Sequence, residues 1–323
     1  MTPGESDAGG TAVAAAGRIK RFARPVLGVV AAAFVVVTAW DLAARWKDAR
    51  IEVRPALALL AALPLVLSCI VQGIAWIALV ERMAHKRTPR LPALSLYLAS
   101  QLARYTPGKV GLPLVRVEGS PRIGLPRGLV GVSVLIESLS WTATGAVLGF
   151  FLIAVTASHA STSNGILERF SWPLVAGSVL GGLVLMTLDR SRYPAAVRRI
   201  LAPEGVGPLV PVRLPAIQLG YWALVAVHGN LLSTALGATP DAAVASMGFY
   251  VLASVAGFVV LAAPAGLGVR EAVLVAGLAP SIGSPSALGA ALFSRILWLV
   301  TELFTWLLTR TLAQKYGVQT RTP

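Results

Sequence analysis

The amino-acid sequence predicts an all-α, polytopic helical membrane protein, and three observations carry that prediction. Of its 323 residues, 56% are hydrophobic and only 13% are charged, against roughly 25% charged in a soluble globular domain. Several apolar runs reach the ~20 residues a helix needs to cross a bilayer. The apolar pattern is also broken twice by Pro/Gly segments that carry basic residues. The first is Pro107-Gly108-Lys109-Val-Gly111, with Arg116 beyond it, and the second is Pro264-Ala-Gly266-Leu-Gly268-Val-Arg270-Glu271. Lipid cannot hydrogen-bond free N–H and C=O groups, so such breaks persist at membrane depth only where they line a cavity or pack inside protein. About seven to nine membrane segments are expected, two of them broken or re-entrant, and the pairing of the breaks suggests an internal repeat.

The elements follow in order. Residues 1–24 read as a disordered cytoplasmic tail ending in the basic collar Arg18, Lys20, Arg21 and Arg24. The transmembrane domain is expected over 25–311, opening with a span at 25–44 that has the character of a retained signal anchor. A second span covers 55–80. Residues 91–105 are apolar but short and close on Gln101 and Arg104, which fits a half-helix entering the first break. The stretch 112–127, with Pro113, Arg116, Glu118 and Arg122, is too polar to face lipid. A long span at 128–156 contains Glu137, and spans at 172–188, 215–237 and 243–263 follow, the last running into the second break. A half-length apolar piece at 271–280 and a span at 286–309 precede a cytoplasmic tail, 312–323. The loop 189–213 is rich in Arg, whereas 157–171 and 238–242 are nearly free of it. The positive-inside rule therefore puts both termini in the cytoplasm of a multi-pass cell-membrane protein.

The net charge of +14, from 28 Lys+Arg against 14 Asp+Glu, has its simplest source in these short basic loops beside anionic headgroups. No nucleic-acid signature accompanies it. Cys69 is the one cysteine, so no intramolecular disulfide can form. His85, His159 and His228 are too scattered for a metal cluster. Gly108-Lys109 lacks the remainder of a P-loop, and Gly266-Leu-Gly268 is not a dinucleotide fingerprint. Neither a metal nor a cofactor is expected, and no Ser/His/Asp set points to an enzyme.

Eight charges lie in or beside apolar segments: Arg104, Lys109, Arg116, Arg270 and Arg295 against Glu137, Glu271 and Glu302. Each should face protein or water, since a charge at the bilayer centre costs at least ~2.5–3.5 kcal/mol. Arg295 and Glu302 are seven residues apart and share one face of the last helix, near Trp298. Glu271 and Glu302 read first as pairing partners for arginine. Basic groups outnumber acidic ones, and the surplus calls for an anion, for which a lipid phosphate is the natural candidate. For Arg116, Arg270 and Arg295, headgroup contact and a structural role stand level. The guanidinium fork suits phosphate, and half-helix N-termini after Gly111 and Gly268 would add N–H donors. His228 reads as a hydrogen-bonding group between helices.

Together, Pro107-Gly-Lys-Val-Gly111 with Arg116, the Glu137 helix, and Pro264-Ala-Gly-Leu-Gly268-Val-Arg270-Glu271 resemble the lysylphosphatidylglycerol synthase transmembrane-region family, over about residues 25–311. Ser138 follows Glu137 where that family commonly has Arg, and Leu112-Pro113 stands where it often has an acidic residue. The resemblance implies a flippase-like protein that translocates an anionic phospholipid or polyprenyl-phosphate-linked lipid between leaflets. It equally admits an accessory protein in envelope lipid glycosylation, working with a glycosyltransferase or synthase. Bifunctional relatives carry a soluble aminoacyltransferase domain; no such stretch occurs here, so lysine transfer is not expected. In the transport reading, Lys109, Arg116, Arg270 and Arg295 hold the lipid phosphate, while Glu137, Glu271 and Glu302 pair with them or gate the site. A third reading is a polyprenyl-phosphate-dependent transferase with Glu137 or Glu271 as base.

Overall fold

A computed structural model describes residues 53–106, 109–157, 213–260 and 266–316, together with 173, 176 and 177. The expected spans at 25–44 and 172–188, and the motif residues Pro107, Gly108 and Pro264, lie outside the described residues. Within them the chain is helical, with no strand. The helices are α1 (Pro55–Leu60), α2 (Ala62–Ala84), α3 (Arg90–Ala103), α4 (Gly111–Gly119), α5 (Arg127–Ala157), α6 (Arg213–Ala235), α7 (Pro240–Val259), α8 (Val269–Ile282) and α9 (Ser284–Tyr316). A 3-10 turn over Ser120–Ile123 follows α4.

Four segments among the described residues are long and apolar enough to cross a membrane: Pro55–Ala84, Arg127–Thr156, Pro240–Val259 and Ser284–Tyr316. The chain is thus a multi-pass membrane protein. Helix α6, expected as a further span, has the length but is not among these four. Its position explains why. It packs against α1, α2, α5, α7 and α9, and its buried face carries Gln218, His228 and Ser233. Ala216, Leu219, Ala223 and Val227 form its exposed stripe, at the three- and four-residue spacing of one helix face. A helix enclosed by protein on one side can hold amides and hydroxyls that a lipid-facing span cannot.

Helices α3 and α8 have 14 residues each and α4 has 9, so they rise only about 21 Å and 14 Å against a hydrocarbon core of ~30 Å. They are the half-helices that the two breaks require. The polar stretch after Gly111, which the sequence marks only as unfit for lipid, folds as α4 and packs between α3 and α5. The second break begins earlier than expected: α7 stops at Val259, and Val260 is already extended at φ −75°, ψ 96°. The last helix runs past the expected 309 to Tyr316. It packs on both α3 and α8, bringing the short helices of the two halves to a common wall. Its threonines are satisfied within the helix: the Thr301, Thr305 and Thr309 hydroxyls donate to the carbonyls of Leu297, Thr301 and Thr305.

Gly266 holds the second break closed. It has φ +72°, and a Cβ there would lie 2.7 Å from the Gly257 carbonyl oxygen at the end of α7. The backbones are in direct contact, and only glycine takes that φ without strain. Gly266→Ala should therefore lower thermal stability in detergent, by ~1–2 kcal/mol from the left-handed conformation alone and more from the clash. Gly220→Ala, on the exposed face of α6 where a Cβ would meet nothing within 4 Å, should leave the melting temperature unchanged or slightly raised in the same assay, since alanine is the better helix former.

Candidate site between the two broken segments

The breaks meet through Lys109. It has a positive φ of 56°, and its Nζ donates to the carbonyls of Gly257 at 2.7 Å, Phe258 at 2.6 Å and Val260 at 3.0 Å. Helix α7 ends here, with Gly257 buried and Val259 and Val260 exposed, and its last carbonyls lack intrahelical donors. The ammonium supplies them and sits at the negative end of the helix dipole. An ammonium has three N–H donors, and all three are taken here. Lys109, expected to hold phosphate, caps the end of α7 in this structure.

One N–H at each of the two N-termini expected to offer donors is taken. The Gly111 N–H donates to Thr106 Oγ1 at 3.0 Å, and the Gly268 N–H donates to Glu271 Oε2 at 2.8 Å. Glu271 stands at the third position of α8 and reaches back over the first turn, as capping acids do.

Three ion pairs absorb most of the remaining charge. Arg116 pairs with Glu137, Arg104 with Glu302, and Arg295 with Glu271. Arg116 is 1% exposed. Its Nε donates to Ser100 Oγ at 2.7 Å, and its guanidinium lies 4.3 Å from the centre of the Tyr97 ring and 5.1 Å from that of Trp76. Such stacking suits a desolvated guanidinium. Glu137 Oε1 also accepts from Gln72 Nε2 at 3.0 Å. Glu302 Oε2 accepts from Tyr105 Oη at 3.1 Å. Arg295 and Glu302 do share the inward face of α9, yet they pair with different helices.

Arg270 stands apart. It is 8% exposed and has no carboxylate within ion-pair reach among the described residues. Its Nη2 donates to Ser294 Oγ at 2.8 Å, its guanidinium lies 5.2 Å from the Trp298 ring centre, and its buried Nε has no hydrogen-bond partner. A relay fixes its position. The Ala61 carbonyl can only accept, so His228 Nδ1, 2.8 Å away, carries the proton. His228 Nε2 then accepts from Ser294, at 2.9 Å, leaving the serine oxygen to receive Arg270.

Two cavities adjoin this cluster. One, with about 520 Å³ of empty space that includes open solvent, is bordered by Arg104, Lys109, Arg270 and Arg295 and, among the described residues, by no acidic side chain. The other, of about 500 Å³, is bordered by Gln72, Gln101, Arg104, Arg116, Glu137 and Glu302, among others. Arg104, Trp141, Phe258 and Trp298 border both. Trp298 receives Arg104 at 5.3 Å as well as Arg270. The ring centres of Trp141 and Phe258 lie 5.0 Å apart, and three of the four residues common to both cavities are aromatic.

Of the residues expected at the site, Lys109, Arg270 and Arg295 border the first cavity, and Arg116, Glu137 and Glu302 border the second. Glu271 reaches the first cavity through Arg295. Gly111, Gly266 and Gly268 shape the breaks. Gln72, Tyr105, Trp141, Phe258 and Ser294 are additions. Gln72 is the one that a sequence signal could have found, being a lone amide within an otherwise apolar span. No group of three or more His, Cys, Asp or Glu able to hold a metal occurs among the described residues.

The family described as Lysylphosphatidylglycerol synthase TM region matches the chain over residues 25–304. The match runs through both broken segments and every charged residue of the site. No curated protein gives a significant match.

Removing one member of a buried pair strands a charge and is destabilising by about 3–5 kcal/mol, whereas apolar replacement of both can be nearly neutral. Arg116→Met and Glu137→Leu should each cause a large drop in thermal stability, and the double substitution should recover most of it. A double-mutant cycle by thermal unfolding in detergent measures this; additive losses would mean that the two groups do not act as a pair.

Proposed function

The chain belongs to the lysylphosphatidylglycerol synthase TM-region family, and from that premise we propose that it moves an anionic lipid between the leaflets of the cell membrane. The phosphate enters the basic cavity between the two breaks, while the acyl or prenyl tails remain in lipid. The observation that carries this reading is Arg270: a buried guanidinium without a carboxylate partner among the described residues, with an unsatisfied Nε, beside a cavity bordered by four basic side chains. A buried charge without a counter-charge is strongly unfavourable, and a phosphate oxygen would provide both the charge and the acceptor. Arg295 and Arg104, already neutralised by Glu271 and Glu302, shape the cavity and add to its positive field. The two ion pairs join α9 to α8 and to the α3 end, so they are also the contacts that would exchange if one half moved against the other.

Transport is favoured over group transfer by the state of the glutamates. A general base needs a free carboxylate near its target proton, and both candidate bases, Glu137 and Glu271, are held by arginine and by a second donor.

Arg270→Gln keeps the hydrogen bond to Ser294 possible and removes the charge. In proteoliposomes holding a fluorescent anionic phospholipid, it should slow leaflet exchange at least tenfold, and Arg270→Lys should be intermediate. Exchange at the wild-type rate in Arg270→Gln would refute the assignment.

A further inference from the structure

The relay behind Arg270 is built from groups that can serve two charge states. His228 is fully buried, and both ring nitrogens are engaged, Nδ1 with the Ala61 carbonyl at 2.8 Å and Nε2 with Ser294 Oγ at 2.9 Å. A neutral imidazole needs one acceptor and one donor, and Ser294 supplies the donor by turning its O–H to Nε2. An imidazolium needs two acceptors, and the same two oxygens provide them. A hydroxyl oxygen has two lone pairs, one for an Nε2–H and one for Arg270 Nη2, 2.8 Å away. Only the Ser294 hydroxyl hydrogen has to move, and a helical serine can turn it to the carbonyl one turn back. No heavy atom is displaced.

What opposes the charged form is Arg270. It lies two hydrogen bonds away and has no carboxylate partner among the described residues, so a proton on His228 would set a second buried cation beside an unmatched one. At that separation, like charges in a protein disfavour each other by roughly tenfold to hundredfold in equilibrium constant. The other ionisable groups around α6 do not weigh against it. Tyr250 of α7 meets the imidazole edge-on, 5.6 Å between ring centres. On α9, Arg295 and Glu302 are paired with Glu271 and Arg104. On α5, Glu137 is paired with Arg116, Cys69 of α2 is a buried thiol, and α1 carries no ionisable side chain. The other charges on these helices lie toward their ends.

Resting on the phosphate assignment to Arg270, we propose that His228 takes up a proton when an anionic lipid binds, so that occupancy and protonation reinforce each other. A phosphate beside Arg270 cancels the charge that opposes the imidazolium. The balance is one proton from water onto Nε2, with no other bond made or broken. Linkage makes the effect reciprocal: a protonated His228 strengthens anion binding by the same factor. The loaded state binds more protons than the empty one, so affinity rises as pH falls through the range where the loaded imidazole titrates. The lipid would then enter most readily from the more acidic face of the membrane and leave most readily at the other.

The test uses the full-length protein in phosphatidylcholine nanodiscs, with fluorescent phosphatidylglycerol as the probe because its phosphodiester stays ionised throughout. Wild-type affinity should rise roughly tenfold between about pH 7.5 and about pH 5.5. His228→Gln, whose amide keeps one donor and one acceptor, should bind equally at both. A second measurement leaves His228 in place. In a His85→Gln/His159→Gln protein it is the sole histidine. Nitrogen NMR at about pH 6 should then show a neutral ring without phosphatidylglycerol and a doubly protonated ring with it. Equal wild-type affinity at the two pH values overturns the proposal. So does a ring whose state ignores the lipid, or a His228→Gln protein that keeps the wild-type pH response. Should His228→Gln not fold, the NMR measurement decides. Failure of the phosphate assignment looks different: Arg270→Gln would then bind phosphatidylglycerol as the wild type does, at either pH.

Discussion

A helix C-terminus leaves its last carbonyls without intrahelical donors, and the contact of Lys109 with the end of α7 answers that constraint. The three carbonyls of Gly257, Phe258 and Val260 converge on one ammonium. Two consequences follow from the same contact. It lets α7 stop at Val259, which creates room for the second break. It also ties the first break to the second, since Lys109 belongs to one and the carbonyls to the other. The cavity between them exists because the chain is interrupted there, and the interruption is tolerable because a lysine from the opposite segment satisfies it.

Charge neutrality determines what that cavity can hold. Five basic and three acidic groups sit together, and the three acids find arginines on other helices. Of the two remaining cations, Lys109 is dispersed over carbonyl dipoles, and Arg270 has only a serine and an aromatic face. A salt bridge would make Arg270 part of the scaffold; with none among the described residues, Arg270 is the group with most to gain from an external anion. The relay through Ser294 and His228 to the Ala61 carbonyl is neutral, so it orients the guanidinium without supplying counter-charge.

Much of this was legible in the sequence because lipid makes polar residues conspicuous. The apolar runs gave the helix class, the Pro/Gly breaks gave the half-helices, and each of the eight charges named from the sequence is found in the central cluster. Pairing was not legible. Arg295 and Glu302 lie two turns apart on α9, but which helix each faces depends on tertiary packing, and α9 happens to run between α3 and α8. Nor could the sequence tell Lys109 from Arg270, since both lie within a Gly-rich break. The difference lies in reach: Lys109 meets a helix C-terminus belonging to the other break. Helix α6 shows the same limit: Ala216, Leu219, Ala223 and Val227 are exposed while Gln218, His228 and Ser233 are buried, and the sequence does not say which helices cover that polar face.

The arrangement separates two tasks that a lipid-handling site must combine. Holding the fold demands that buried charges be matched, and Arg116 with Glu137 does this, with both of its partners on short or central helices and aromatic rings over the guanidinium. Accepting and releasing an anion demands a charge that is not permanently matched, and Arg270 meets that condition. Were every arginine paired as Arg116 is, a phosphate would have to displace a carboxylate to enter, and the stranded glutamate would offset most of the gain. Were several unpaired, the empty state would carry uncompensated charge at membrane depth and the bound lipid would be held too tightly to leave. One unmatched guanidinium among neutralised neighbours lies between those limits, which is the balance a site needs if it is to be filled from one leaflet and emptied into the other.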